Sequence, residues 1–198
     1  MGENKTIAYY NQHAQEYYDK TVDIDMTSNC GEFLQYLDFG DHILDAGCGS
    51  GRDSQYFIEQ GYEVTALDAA QELVDLAEGL LGQEVLQIRL EELDFTAEFD
   101  GIWACASLIH LKEDQIKEIL RKFSRAVVTD GVIYISFKIG TGEEFKKGRF
   151  FNYYNELSCL ELIAEIDPLK VVNLWETDDA EDREGVKWLN LVLRKGNT

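Results

Sequence analysis

The stretch Ile43-Leu44-Asp45-Ala46-Gly47-Cys48-Gly49-Ser50-Gly51-Arg52-Asp53 constrains the fold more than any other feature of the chain. The apolar run His42 to Ala46 reads as a buried strand, and it leads directly into glycines at 47, 49 and 51. Without a Cβ, glycine lets the backbone turn sharply and approach a ligand closely. The segment from Ser50 to Gln60 has helical character, so the turn delivers the chain into a helix N-terminus. Free N–H groups and positive dipole character there suit a carboxylate or a phosphate.

The same strand-to-helix alternation continues downstream. Tyr62 to Asp68 is expected as a second strand, with Gln71 to Leu81 as the helix behind it. Glu84 to Leu90 gives a third strand. Phe99 to Leu108 gives a fourth, apolar enough to be buried on both faces. Ile116, Ile119, Leu120, Phe123 and Val127 share one face of a helix over Lys112 to Val127. Asp130-Gly131 then turns the chain into Val132 to Ile139. Alternating elements of this kind predict parallel β-α-β units in an α/β, Rossmann-like, doubly wound sheet. A helix over Asn155 to Ile166 precedes Leu169–Thr177 and Val186 to Arg194, which read as an antiparallel pair at one edge. Whether the last strand inserts between its neighbours stays open. With 198 residues, a single proline and no low-complexity linker, one domain is expected.

Two details separate the nucleotide classes. A dinucleotide fingerprint would place its third glycine at position 52, where Arg52 stands instead. Asp45, two residues before Gly47, suits a cationic ligand better than a pyrophosphate. S-adenosylmethionine, with its ammonium, sulfonium and carboxylate, fits this pattern. Asp68 ends the second strand, 23 residues after Asp45, where a carboxylate can accept hydrogen bonds from both ribose hydroxyls. The alternative is a cap on the helix that follows. Ala69 adjoins it, and Leu90 and Glu91 could address an adenine edge. The candidate cofactor contacts are therefore Asp45, Gly47, Cys48, Gly49, Gly51, Arg52, Asp53, Asp68, Ala69, Leu90 and Glu91. Ala104 and Cys105, at the end of the fourth strand, join them.

The balance of 38 acidic against 18 basic residues gives a formal net charge of −20. Such a surface repels phosphate backbones and anionic lipid, so neither nucleic acid nor membrane is expected as a partner. No run approaches a membrane span, and the polar, Tyr-rich start lacks a signal-peptide core, which points to the cytoplasm. Four scattered cysteines and three isolated histidines suggest neither a disulfide framework nor a metal site. Two helices, Thr6 to Lys20 and Asn29 to Leu37, are expected before the first strand. Tyr10, Ala14, Tyr17 and Tyr18 share a face of the first. It is either a packing helix or a lid whose tyrosines close over a ligand.

Leu44–Ser54, the LDA at Leu67–Ala69, the LDF at Leu93–Phe95 and Phe99–Leu111 resemble the class I S-adenosylmethionine-dependent methyltransferases. The whole chain, through Gly148–Tyr154 and Trp188–Asn190, is similar to a small bacterial clade labelled tellurite-resistance-type methyltransferases. The N-terminal YYNQHAQEYY looks like that clade's lid helix, so residues 1–40 are expected as lid helices on a core spanning 41–198. The resemblance implies seven strands in the order 3-2-1-4-5-7-6, the last antiparallel. It also implies that Asp45, Gly47 and Arg52 hold the methionine end of the cofactor and Asp68 its ribose. One departure is Arg89, which stands where many relatives place an acid for the adenine amino group.

Methyl transfer is an in-line displacement in which the protein aligns the nucleophile and excludes water. No catalytic residue type is obligatory, so the motif leaves the acceptor open. His110, just past the fourth strand, is the candidate general base, with a structural histidine as the alternative. Tyr18, His110, Lys138 and Arg149 are candidate substrate contacts, and cations there point to an anionic small-molecule acceptor. The clade's label suggests a metalloid oxyanion; O-, N- or S-methyl acceptors fit equally. Competing functions are a cofactor-binding module without turnover and a nucleotide-dependent oxidoreductase. A monomer and a homodimer are equally compatible with the sequence.

Overall fold

The computed structural model describes residues 2–181 and 183–196. Its core is a seven-stranded sheet made of β1 (His42–Ala46), β2 (Glu63–Asp68), β3 (Val85–Gln87), β4 (Phe99–Ala104), β5 (Val127–Lys138), β8 (Leu169–Asp178) and β9 (Lys187–Lys195). The strands lie in the order β3-β2-β1-β4-β5-β9-β8. Counted within this sheet, that is the expected 3-2-1-4-5-7-6. β1 to β5 run parallel, while β9 inserts antiparallel between β5 and β8.

Adjacent residues of a strand face opposite sides of the sheet, and here they enter different cores. Leu44, Ile102 and Ile133 pack with Ile116, Ile119, Leu120 and Phe123 of α6 (Glu113–Ala126) and with Leu162 and Ile163 of α7 (Glu156–Ala164). Their neighbours Ile43, Trp103 and Tyr134 pack on the other side with Phe33 of α3 (Thr27–Leu34) and Phe57 of α4 (Arg52–Glu59). Helix α5 (Gln71–Leu81) buries Leu73, Val74 and Ala77, as its spacing predicts.

Four expectations need correcting. The first N-terminal helix is two, α1 (Gly2–Gln12) and α2 (Ala14–Thr21). The break falls at His13, which has non-helical φ −118° and ψ 20°; its ring stacks on Tyr9 at 4.2 Å and its Nδ1–H donates to the Tyr9 carbonyl at 2.8 Å. Strand β3 is only three residues long, followed by a 3-10 turn at Leu90–Glu92. Asp130-Gly131 is no turn between elements but an irregularity inside β5, with Asp130 at φ 64° and a register shift against β4. Between β5 and α7 lies an unforeseen antiparallel hairpin, β6 (Gly142–Lys146) and β7 (Arg149–Tyr153), outside the main sheet. Strand β6 is exposed along its whole length, so it carries no apolar alternation for a sequence reading to detect. Among the described residues, no helix is long and apolar enough to cross a membrane.

Candidate active site

Three backbone turns at the carboxyl ends of β1, β2 and β4 build the site, where ligands of open parallel sheets sit. Gly47 and Gly49 adopt φ 90° and 56°, in the left-handed region. A Cβ on Gly47 would lie 2.6 Å from Cβ of Ser107, in the turn after β4, so the two turns can approach only because position 47 has no side chain. The N–H groups of Gly47 and Cys48 both donate to the Leu67 carbonyl, at 2.9 Å each, which ties the first turn to β2. Asp68 is pinned next to it. One of its carboxylate oxygens accepts from Gly49 N–H at 3.0 Å, the other from Ala70 N–H at 2.8 Å. Burial pushes its pKa up, against those same hydrogen bonds.

Two chambers open from these turns. The first, about 120 Å³, is lined by Gly47, Gly49, Asp68, Ala69, Leu90 and Glu91, with Tyr10 and Tyr17 from α1 and α2. The second, about 370 Å³, is bounded by Arg52, Lys138, Arg149, Phe151 and Trp188. They share Tyr10, Tyr17, Cys105, Ala106 and His110. Ala106 holds φ 55°, uncommon for alanine, with its N–H on Ser136 Oγ at 2.9 Å. The strained turn thus stands at the junction of the chambers.

The remaining candidates divide. Asp45 lines neither chamber; it is buried behind the turn and accepts from Ser54 Oγ at 2.6 Å. Burial, then the neighbouring Asp53 charge, pushes its pKa up to about 8. Asp53 also lies off both chambers, gripping Arg52 through two bonds of 2.7 and 2.9 Å and accepting from Trp103 Nε1 at 2.8 Å. Gly51 and Cys48 pack toward α5 instead: a Cβ on Gly51 would meet Ala77 Cβ at 3.2 Å, and Cys48 packs with the Val74–Ala77 cluster. Ala104 is fully buried in the core. Tyr18 is not among the residues lining either chamber.

His110 lies between the chambers, but not as a free base. A carbonyl can only accept, so Nδ1 carries the proton and donates to Phe150 O at 2.7 Å. Nε2 then accepts from the Tyr10 hydroxyl at 2.8 Å. Burial, with the charges of Arg149 and Lys138, pulls its pKa down to about 4. Both nitrogens are committed and the ring is neutral, which is the structural-histidine alternative. Ala106 and Ser107, in the run after the fourth strand that the sequence places at the methyl group, do line the first chamber, whereas sequence reading missed Phe151. Phe151 could have been found from its place two residues after Arg149, on the same side of a strand.

The pKa of Asp45 yields a testable sign. Its folded-state value lies above the unfolded one of about 3.9, so its contribution is complete at acid pH and is lost as pH rises toward about 8. Asp45→Asn keeps an acceptor for Ser54 without that proton. Urea denaturation should therefore show wild type losing stability relative to the variant as pH rises across this window. A constant difference would mean that Asp45 titrates normally.

Residues 43–131 match a family model described as a methyltransferase domain. A solved 1,6-didemethyltoxoflavin-N1-methyltransferase from Burkholderia thailandensis, with 1,6-didemethyltoxoflavin and S-adenosylhomocysteine bound, superposes with a TM-score of 0.81 at 24% identity. The superposition covers 96% of this chain and 87% of that one. The core has the class I methyltransferase fold. A TehB-like methyltransferase structure from Corynebacterium glutamicum shares this methyltransferase fold with a TM-score of 0.69 at 23% identity, covering 96% and 97% of the two chains. By sequence, the chain is 36% identical to the malonyl-[acyl-carrier protein] O-methyltransferase of Enterobacter lignolyticus over 87 residues, 40% of this chain and 33% of that protein. It spans between 38% and 57% of the length of other curated relatives. The matched segment 43–131 contains both the glycine turn and Asp68, while the hairpin and Arg149 lie beyond it.

Proposed function

We propose that the protein transfers a methyl group from S-adenosylmethionine to a small-molecule acceptor, the cofactor in the first chamber and the acceptor in the second. One observation carries this reading: Asp68, fixed by two backbone N–H groups, faces a chamber that joins a second one at Cys105, Ala106 and His110. The residues present fit the cofactor. The turn at Gly47 and Gly49 lines the first chamber and offers it backbone where the amino-acid end would lie, with Arg52 in the adjoining chamber. Asp68 retains lone pairs for ribose hydroxyls, and Ala69, Leu90 and Glu91 surround the place for adenine. Tyr10 and Tyr17 close the chamber as a lid formed from residues 1–40 on a single-domain core.

The tellurite-resistance-type likeness rests on segments that line the second chamber. Arg149 and Phe151 belong to Gly148–Tyr154, and Trp188 and Asn190 to the last strand. A net charge of −20 argues against nucleic acid as the acceptor.

The test is titration calorimetry with S-adenosylmethionine, S-adenosylhomocysteine and NAD. Wild type should bind both sulfur ligands and not NAD. Asp68→Ala should weaken them about 30- to 100-fold, the effect of losing hydrogen bonds to a charged acceptor. Heat from NAD alone would transfer the chain to the oxidoreductases, and no heat from either sulfur ligand would end the methyl-transfer reading.

A further inference from the structure

The second chamber is lined by five lysines and arginines in a protein where acids outnumber bases 38 to 18. Three are neutralised. Lys20 pairs with Glu16 at 2.6 Å. Arg52 is held bidentately by Asp53, and Arg183 by Asp179 at 2.6 Å and Glu181 at 2.9 Å. The other two, Lys138 and Arg149, have no carboxylate partner among the described residues. They rest on aromatic faces instead. Lys138 Nζ lies 4.7 Å from the centroid of Phe151 and 5.4 Å from that of Trp188. The Arg149 guanidinium lies 5.2 Å from Phe151 and 4.6 Å from Tyr9. Both cations thus share the Phe151 ring, and Arg149 Nε is buried without a hydrogen-bond partner. A π face compensates a desolvated cation only in part. An anion entering between them would complete that compensation.

The imidazole at the junction of the chambers and the carboxylates of the second chamber are already engaged. His110 has both nitrogens engaged. Each carboxylate along the wall or rim has a partner of its own: Glu16 has Lys20, Asp25 has Thr27, Asp178 has Lys187, and Asp179 and Glu181 have Arg183.

We infer that the second chamber takes its acceptor as a preformed aromatic or conjugated anion, such as a phenolate or enolate, its charge toward Lys138 and Arg149 and its ring among Tyr9, Tyr10, Phe151 and Trp188. This deepens the methyl-transfer reading and rests on it for the reaction. The anion's electron pair forms the bond to the methyl carbon while the carbon–sulfur pair stays with sulfur. Both partners end uncharged and no proton is released, so the reaction needs no base. Burial, with the like charges of Arg183 and Arg149, lowers the Lys138 pKa to about 8. That direction is the one expected of a cation awaiting a counter-charge.

The probe is 4-nitrophenol, whose absorbance reports its own ionisation, beside its uncharged methyl ether 4-nitroanisole. Both are titrated into the full chain saturated with S-adenosylhomocysteine, at the pH where free 4-nitrophenol is half ionised. The bound probe should shift to the phenolate band and bind at least about tenfold more tightly than 4-nitroanisole. Lys138→Met and Arg149→Met should each reduce that preference about tenfold, and Arg149→Lys should restore part of it. Equal binding of the ether and the phenol would overturn the inference, and this comparison needs no variant. A shift toward the neutral band would also overturn it, as would no probe binding by a protein that does bind S-adenosylhomocysteine. Probe ionisation in a protein that binds no S-adenosylhomocysteine would uphold the anion site while ending the methyl-transfer reading.

Discussion

Trp103→Ala should lower the stability of this protein by about 4–5 kcal/mol. Trp103 is fully buried in the middle of the sheet, stacked on Tyr134 at 3.7 Å and flanked by Phe33 and Phe57, each at 5.3 Å. Truncation opens a cavity among rings that cannot collapse together, and large aromatic deletions of this kind cost about 3–5 kcal/mol. It also removes the indole N–H from Asp53, whose other oxygen contacts go to Arg52. Loss of one bond to a charged acceptor adds about 1.5 kcal/mol or more. Urea denaturation should show a lower midpoint with an unchanged slope, and melting should fall by roughly 10 °C or more. Trp103→Phe keeps the ring and isolates the N–H. A loss under about 1 kcal/mol for Trp103→Ala would mean that the Arg52–Asp53 pair does not depend on this core.

Gly47→Val should be nearly as severe and should also abolish cofactor binding. At φ 90° a β-branched residue is strained by about 1–3 kcal/mol. Its Cβ would in addition meet Ser107 Cβ at 2.6 Å, a backbone-borne contact that no rotamer relieves. Overpacking of this kind adds about 1–3 kcal/mol. The turn after β4 must shift, and with it Ala106 and the junction of the chambers. Calorimetry should detect no binding of S-adenosylhomocysteine even where circular dichroism shows folded protein. A folded Gly47→Val variant with wild-type affinity would remove this turn from the site.

These two positions also show what the sequence could and could not convey. The glycine turn, β1 and α5 were legible to the residue because their signals are local: an apolar run, a missing Cβ, a helical period. Sheet order was legible only through family likeness, since strand adjacency is a tertiary property. Asp45 was misplaced because spacing locates a residue on a strand but not on which side of the following turn its carboxylate points. In the structure it faces Ser54, on the helix side. His110 was placed correctly beside the chambers, yet its chemistry is set by Phe150 and Tyr10, 40 and 100 residues away in sequence. Hydrogen bonds across such distances leave no periodic trace. The hairpin escaped for a different reason, since two exposed short strands look like a polar loop.

That hairpin has a consequence for how such a protein can change. Strands β6 and β7 pair as strands only with each other, and β7 is anchored on the core by the Ile139–Tyr154 bridge, by buried Phe151 and by the bonds of Phe150 O to His110 and of Asn152 Nδ2 to Leu111 O. Phe150 N–H reaches Thr6 Oγ1 on α1, and Gly148 lies against Tyr9. The hairpin and the N-terminal helix thus form one wall, outside the seven-stranded sheet, that carries Arg149 and Phe151. The exposed strand β6 and its turn make no pairing with the seven-stranded sheet, so changes there leave its strand registers untouched. Selection can therefore redraw one wall of the acceptor chamber while the part of the molecule that is hardest to alter stays untouched.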